Sequence, residues 1–498
     1  MLDPVDIDVV IGGGGVAGSV TAAALQGLGL RIVVVEPGRP DDRRLAGEVF
    51  HPPGVKGLAE LGLLETLMRG PAAPIKGFLL TAGADRENIR LPYDEVAAHS
   101  TGGLGIEHKI IRERLLEAAG ALGDVTVLRG KRIVAIDQTD PSGVVVRVAN
   151  GTASLHYRCR MFIAADGAQS RMGRSVGIDI HSRRISTMFG YRVATEHLAH
   201  PDYGQILLGA SAPVLLYPIG GNDARILFDI SHVAGRLPQT ADCGDVFGVL
   251  SPRLRQEVEH AMASQPRMSV LARAVSVDRV VQGRVVLVGD AGGSCHPLTA
   301  SGMTRCVSDA LLLRDALADQ PDDIAQALQL YQRRRRWPQA TRLTLSDALR
   351  DAFCSATPVA RVVQRGILSY CRGSAARRAA TMALLSTADS RPIALIREVL
   401  RVMTRGFLAH LRAPLPPDRR SAYRIMKGLV AEALRHVTQI TGTGAAMVRL
   451  SHGQFLDTGG AVGHVDEAAL DRQPAGAHGS IGEGGPSPTV DHPAGLPI

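Results

Sequence analysis

Four nearly uninterrupted apolar runs organise the first 290 residues: Ile7–Ile11, Arg31–Val35, Met161–Ala165 and Arg284–Val288. Runs this short, without polar alternation, predict strands buried on both faces of a parallel sheet. The Ala/Leu-rich stretch between the first two predicts a helix ending near Gly29, and another is expected over 110–122. Runs at 77–81, 187–195, 205–218 and 225–230 predict strands of a second, mostly antiparallel sheet. From 346 to 450 the apolar spacing is helical, punctuated by Pro358, Pro392 and Pro414–Pro417. Residues 451–498 lose periodicity, turn rich in Gly, Pro, Ala and His, and are expected to form a disordered tail. The pattern predicts an α/β protein in four parts. A discontinuous Rossmann-like domain takes 1–76, 103–183 and 275–345, and a β-sheet substrate domain takes 77–102 and 184–274. A C-terminal helical region (346–450) and the tail follow.

Glycines follow the strands. The first run leads into Gly13-x-Gly15-x-x-Gly18, a helix, a second strand and Glu36. This is the βαβ unit that holds a dinucleotide. Gly13 permits the tight turn, and Gly15, Val16 and Ala17 bring backbone N–H groups to a pyrophosphate at the helix N-terminus. Gly18 allows close helix–strand packing, and Glu36 accepts ribose hydroxyls. The alternative is a glycine-rich turn that holds nothing. Asp166-Gly167 ends the third run, with Ser170 just beyond it. Gly289-Asp290 ends the fourth, before His296-Pro297-Leu298-Thr299 and a helix opened by Gly302-Met303. Gly302 offers backbone donors suited to a flavin's pyrimidine edge. Asp290 suits the ribityl hydroxyls, or else a plain helix cap before a proline turn. Three such stretches in this order describe a chain wrapped around one FAD.

The order GxGxxG, DG, GD resembles the single-FAD-domain monooxygenases (the aromatic hydroxylase, or group A, superfamily), which likewise show no second GxGxxG. Within it the chain is similar to the squalene monooxygenase family at GEVFHPPGVKGLAELGLLETL (47–67), HPLTASGMT (296–304) and MALLSTADSRPIALI (382–396). The likeness runs to about residue 412 and thins through 184–275. It implies a fold of the p-hydroxybenzoate hydroxylase type, FAD as cofactor, and NAD(P)H and O2 as co-substrates. It also implies Glu36 and Arg44 at the adenosine half of FAD, and Arg112 reaching the cofactor from the helix at 110–122. Asp166, Asp290, Pro297, Gly302 and Met303 would lie along the rest. Lys109 and Arg114 compete with Arg112 for its register. Three positions depart from the pattern. Gly173, flanked by Arg171 and Arg174, stands where the superfamily usually has Arg. His51 and Phe78 stand where squalene monooxygenases have Gln and Tyr, which removes a polar pair beside the flavin and argues against squalene itself.

Composition narrows the partners. The 498 residues exceed one compact domain, and the formal charge is +8. Cysteines 159, 243, 295, 306, 354 and 371 show no CxxC, so neither zinc nor a disulfide framework is indicated and a cytoplasmic setting is expected. Cys295 and His296 are either a catalytic pair or a small side chain packed in a loop. His464, His478 and His492 are too spread out for a metal site. The first strand starts so near Met1 that no signal peptide is expected, and no apolar run is long enough for a membrane span. A helix over 389–412 carries Ile393, Ile396, Val399, Leu400, Met403, Phe407 and Leu411 beside Arg397, Arg401 and Arg405. That face suits peripheral binding to an anionic membrane, or an ordinary helix packed on the core. Nucleic acid is a poor fit, since the basic region lacks interleaved aromatics.

The expected function is a FAD-dependent monooxygenase using NAD(P)H and O2. It would epoxidise a C=C bond of a lipophilic isoprenoid or prenylated aromatic (quinone- or quinolone-like) substrate through a flavin C4a-hydroperoxide, with rearrangement open to the product. Aromatic-ring hydroxylation, prenyl double-bond reduction and flavin-free prenyl binding are the alternatives. A phenol would want a base, for which His51 is the candidate if it faces the cavity. Otherwise His51 is a loop residue near the adenosine or solvent.

Overall fold

The computed structural model describes residues 4–38, 45–82, 87–140, 143–151, 153–210, 212–231, 246–412 and 419–442. Arg44 and the expected tail at 451–498 lie outside the described residues.

The four apolar runs meet in one sheet. Val5–Gly12 is central, parallel to Ala153–Ala164 on one side and Ile32–Glu36 on the other. Ala153–Ala164 pairs in parallel with Val285–Leu287, and Ile32–Glu36 with Val125–Arg129. Val281–Gln282 closes one edge antiparallel, while Arg132–Asp137 and Val144–Asn150 form an antiparallel meander on Ala153–Ala164. Val9, Val10, Ile11 and Val33 to Val35 are all buried in one core with helix Val16–Gln26 and the meander strand Val144–Asn150, which is why their runs lack alternation. Each such side chain contributes about 1.5–3 kcal/mol by leaving water.

The second sheet has seven strands in the order Met268–Val277, Ile180–Ala194, Asp223–Ser231, Val214–Gly220, Gly204–Leu207, Gly77–Ala82 and Glu87–Pro92. It is antiparallel except where Gly204–Leu207 lies parallel to Gly77–Ala82. The single strand expected over 205–218 is two strands, separated by a turn in which Gly209 has φ +124°. Strands Ile180–Ala194 and Met268–Val277 run straight through the domain boundaries expected near 184 and 275. Alternation splits the sheet's two faces. Val214, Leu216, Ile226 and Phe228 cluster with Leu254 and Val258 of helix Pro252–Ser264. Met188, Leu215, Tyr217 and Leu227 face inward with Phe78, Leu298 and Phe353.

Helix Ile324–Cys354 spans the boundary expected at 345, and helices Pro358–Arg372, Ala375–Leu385, Pro392–Leu411 and Arg419–Thr441 follow. The helix expected from Asp389 starts at Pro392, after Asp389 Oδ1 accepts the Arg391 N–H at 3.0 Å. It crosses Pro358–Arg372 closely enough that a Cβ on Gly366 would sit 2.4 Å from the Val402 carbonyl oxygen.

Candidate active site

Four strands of the first sheet end level with one another. Gly12 pairs with Ala164 and Val35, and Ala164 pairs with Leu287. The residues that follow are therefore delivered to one edge: Gly13 to Gly18, Asp166, Gly289-Asp290 and Glu36. The strand order changes direction around Val5–Gly12, and ligands of open α/β sheets bind at such a switch point. Gly13 has φ +114°, and a Cβ there would lie 2.6 Å from the Ala165 carbonyl oxygen. A Cβ on Gly18 would overlap the Gly13 carbonyl oxygen at 1.9 Å.

Gly15 differs from these two. A Cβ there meets nothing within 4 Å, and helix Val16–Gln26 has no side-chain cap. Gly302, opening helix Gly302–Asp319, shows the same two features. Helix ends leave backbone N–H groups without intrahelical partners. Two uncapped N-termini beside open space fit a pyrophosphate at Gly15, Val16 and Ala17 and an electron-rich ring edge at Gly302. The Val16 and Ala17 side chains are buried.

Glu36 sits at its strand's end and accepts N–H bonds from Gly14 (2.7 Å) and Gly38 (3.1 Å). Asp166 Oδ2 accepts from Arg171 and Met172, while its buried Oδ1 has no partner among the described residues. Asp290 is half exposed and pairs with Arg305 at 2.9 Å. Arg305 also binds Asp309, which accepts the Gly289 N–H and two bonds from Arg335. Burial opposes the Arg305 charge, but the Asp309 and Asp290 carboxylates outweigh it and hold the guanidinium above its ordinary range. Asp309 thus anchors the GD turn and was missed in the sequence. Its signal was the Arg305/Asp309 spacing of four on the helix that packs there.

Pro297 is exposed, and Met303 lies 3.0 Å from where a Gly47 Cβ would stand. Arg112 is half-buried on helix His108–Gly120, whereas Arg114 turns away to the Thr66 and Leu67 carbonyls. A side chain at Gly173 would need Ile180 and Leu287 to shift by a few tenths of an ångström, since its Cβ would meet them at 3.0 and 3.2 Å. Arg171 and Arg174 on either side are exposed.

His51 requires a correction. It is 1% exposed rather than a solvent-side loop residue. Its N–H donates to Thr304 Oγ1 (2.8 Å), Nε2 meets the Thr299 carbonyl (2.9 Å), and Nδ1 meets the Tyr93 hydroxyl (2.6 Å). A carbonyl can only accept, so Nε2 carries the proton and Nδ1 accepts from Tyr93. Burial lowers the imidazole pKa to about 4 and pushes the Tyr93 phenol well above its ordinary value. The ring is neutral with both nitrogens committed, so it is no free base. The polar pair thought lost at position 78 is rebuilt by Tyr93, whose ring packs edge-on to Phe78 at 6.4 Å. Together these bonds clamp the loop in which Ala300 takes the left-handed φ +50°, just before Gly302.

His296 does not pair with Cys295. Its Nδ1 accepts the Leu298 N–H, so Nε2–H points to Asp229 Oδ2 (2.9 Å) and Ser186 Oγ (3.2 Å). Cys295 instead accepts from Arg342. A second polar group on the inner face was also unforeseen: Arg225 grips Glu48 bidentately at 2.8 and 3.0 Å, and Tyr217 donates to the same carboxylate.

A parallel sheet with glycine turns along one edge, beside an antiparallel sheet with an apolar inner face, is a fold shared with solved flavin-dependent enzymes. The fold is that of HpxO from Klebsiella pneumoniae, solved with FAD (23% identity, TM-score 0.65, covering 76% of this chain and 99% of that one). It is also that of p-nitrophenol 4-monooxygenase PnpA from Pseudomonas putida (19%, TM-score 0.60, 81% and 98%). Residues 158–415 match the squalene epoxidase family model, and the chain belongs to that family. Squalene epoxidase 3 of Arabidopsis thaliana is 26% identical over 83% of this chain and 81% of its own length. Squalene monooxygenase of Mus musculus is 26% identical over 80% and 71%. The protein is an FAD-dependent monooxygenase that uses NAD(P)H.

Proposed function

We propose that the enzyme epoxidises a C=C bond in the isoprenoid chain of a lipophilic substrate, either a free polyene or a prenyl group on an aromatic head. Bound FAD would carry two electrons from NAD(P)H to O2, one oxygen atom going to the alkene and the other leaving as water. In this reading the eight-stranded sheet holds the flavin and the seven-stranded sheet roofs the substrate. Gly15 to Ala17 hold the pyrophosphate, Glu36 the ribose, Asp290 the ribityl chain, and Gly302 the ring edge. Phe78, Met188, Leu215 and Leu227 exclude water. The observation that carries the reading is the family match over 158–415, which spans five of the seven substrate-side strands as well as the flavin loop. An alkene needs no deprotonation, in keeping with a His51 that has no free nitrogen.

We further propose that the enzyme is cytoplasmic and meets an anionic membrane surface through helix Pro392–Leu411. Of the apolar face expected on this helix, Ile396, Val399, Met403 and Phe407 pack inward with Leu395, while Ile393, Leu400 and Leu411, together with Leu408, are exposed beside Arg397, Arg401 and Arg405. Tyr423, Met426, Val430 and Leu434 on the next helix are exposed too. No described helix is long and apolar enough to cross a membrane.

The test is incubation of reduced enzyme with farnesylated quinones, farnesylated quinolones and linear terpenes under oxygen-18. The expected product carries one labelled atom on the prenyl chain, as an epoxide or its rearrangement product. Label on the ring as a phenol would mean aromatic hydroxylation instead, and an unlabelled, saturated chain would mean reduction.

A further inference from the structure

The inner face of the seven-stranded sheet carries few polar side chains, and nearly all of them are satisfied. Arg225, Tyr217 and Glu48 bond to one another, and Ser186 meets His296. Asp229 is the exception. It is 4% exposed, stands opposite Met188 on the neighbouring strand, and follows Leu227 on the same face. Its Oδ2 takes the His296 Nε2–H at 2.9 Å, with the Cys354 thiol 3.9 Å away. Its Oδ1 has no partner among the described residues. The carboxylate's one ion-pair-range neighbour among the described residues is His296. That ring accepts the Leu298 N–H at Nδ1. Burial and the adjacent Asp229 carboxylate push the Cys354 thiol up to about 12.

A buried acceptor left unmade costs about 1–3 kcal/mol, and more when charged, so an orphan of this kind calls for an explanation. His296 belongs to the loop that leads to Gly302, so a group held at Oδ1 hangs beside the flavin loop.

We propose that Asp229 Oδ1 accepts an N–H or O–H donor from the substrate's polar head, which makes the substrate a prenylated ring bearing such a donor rather than a free hydrocarbon. This rests on the oxygenase reading above and narrows its substrate class. Asp229 is then a specificity residue, with His296 holding it in place. A hydrocarbon would leave Oδ1 bare, whereas a ring hydroxyl or ring N–H would complete it.

The test titrates the FAD-loaded enzyme, followed by flavin difference absorbance, with 2-farnesylphenol and with its methyl ether, which lacks only the donor. The parent is expected to bind the phenol at least tenfold more tightly. Asp229→Asn keeps an oxygen for His296 and turns an amide N–H toward the ligand, so the preference should vanish while FAD content and Tm hold. Equal binding of the two ligands by the parent, or a preference that survives in Asp229→Asn, overturns the proposal. If that variant fails to fold, infrared spectra of the parent with 13C-labelled aspartate decide: a carboxylate shift on adding phenol but not ether supports the assignment, and no shift refutes it. Equal binding with both ligands oxygenated removes Asp229's role and leaves the oxygenase intact. A clear preference for the phenol with neither ligand oxygenated does the reverse.

Discussion

His51 makes the stability of this protein depend on pH in a way one substitution should reveal. The imidazole pKa falls from 6.5 to about 4 in the folded chain because burial disfavours its charged form. The unfolded chain therefore binds the extra proton first. The neutral ring's stabilisation is fully present above pH 6.5 and is lost as pH falls toward 4. Each unit of that window removes ~1.4 kcal/mol, or ~3 kcal/mol across it. His436 is also lowered to about 4, by burial and then by Arg435, and adds a similar share. His51→Gln keeps both ring bonds in kind, an amide N–H to Thr299 and an amide oxygen for the Tyr93 hydroxyl, but cannot take up the proton. Urea unfolding at saturating FAD between pH 6.5 and 4.5 should lose stability less steeply in this variant, by ~1.4 kcal/mol per unit, while carboxylate contributions cancel in the comparison. Identical slopes in parent and variant, or an NMR titration of His51 centred near its ordinary value, would refute the buried neutral assignment.

Gly15→Val should fold, as circular dichroism reads it, yet leave the column colourless, because its Cβ enters open space at the helix end. Gly18→Val should fail to fold, because its Cβ strikes the Gly13 carbonyl. Glu48→Gln strips the charge from a buried ion pair and should cost about 3–5 kcal/mol in urea unfolding. The double variant with Arg225→Met should recover much of that loss. For the membrane-facing helix, Leu400→Asp with Leu408→Asp should leave FAD content unchanged and abolish sedimentation with anionic vesicles. Parent protein that does not sediment with them would end that proposal.

The sequence by itself determined the parts of this protein that are local. A glycine at a tight turn, an apolar run buried on two faces and a proline at a helix start are each demanded by the backbone within a few residues. The tight turn at Gly13 and the close packing at Gly18 were therefore legible, and so were the two sheets. Tertiary structure decided which side chains meet. Thr299 lies 248 residues from the His51 ring it fixes, Arg225 lies 177 from Glu48, and Tyr93 gives His51 the hydroxyl that Phe78 lacks. No periodicity encodes such meetings, because they arise only when distant strands and loops are packed to a common depth. Burial then strips away water and makes each hydrogen-bond partner obligatory. The same packing moved His51 from candidate base to clamp, and left one oxygen of Asp229 without a partner among the described residues.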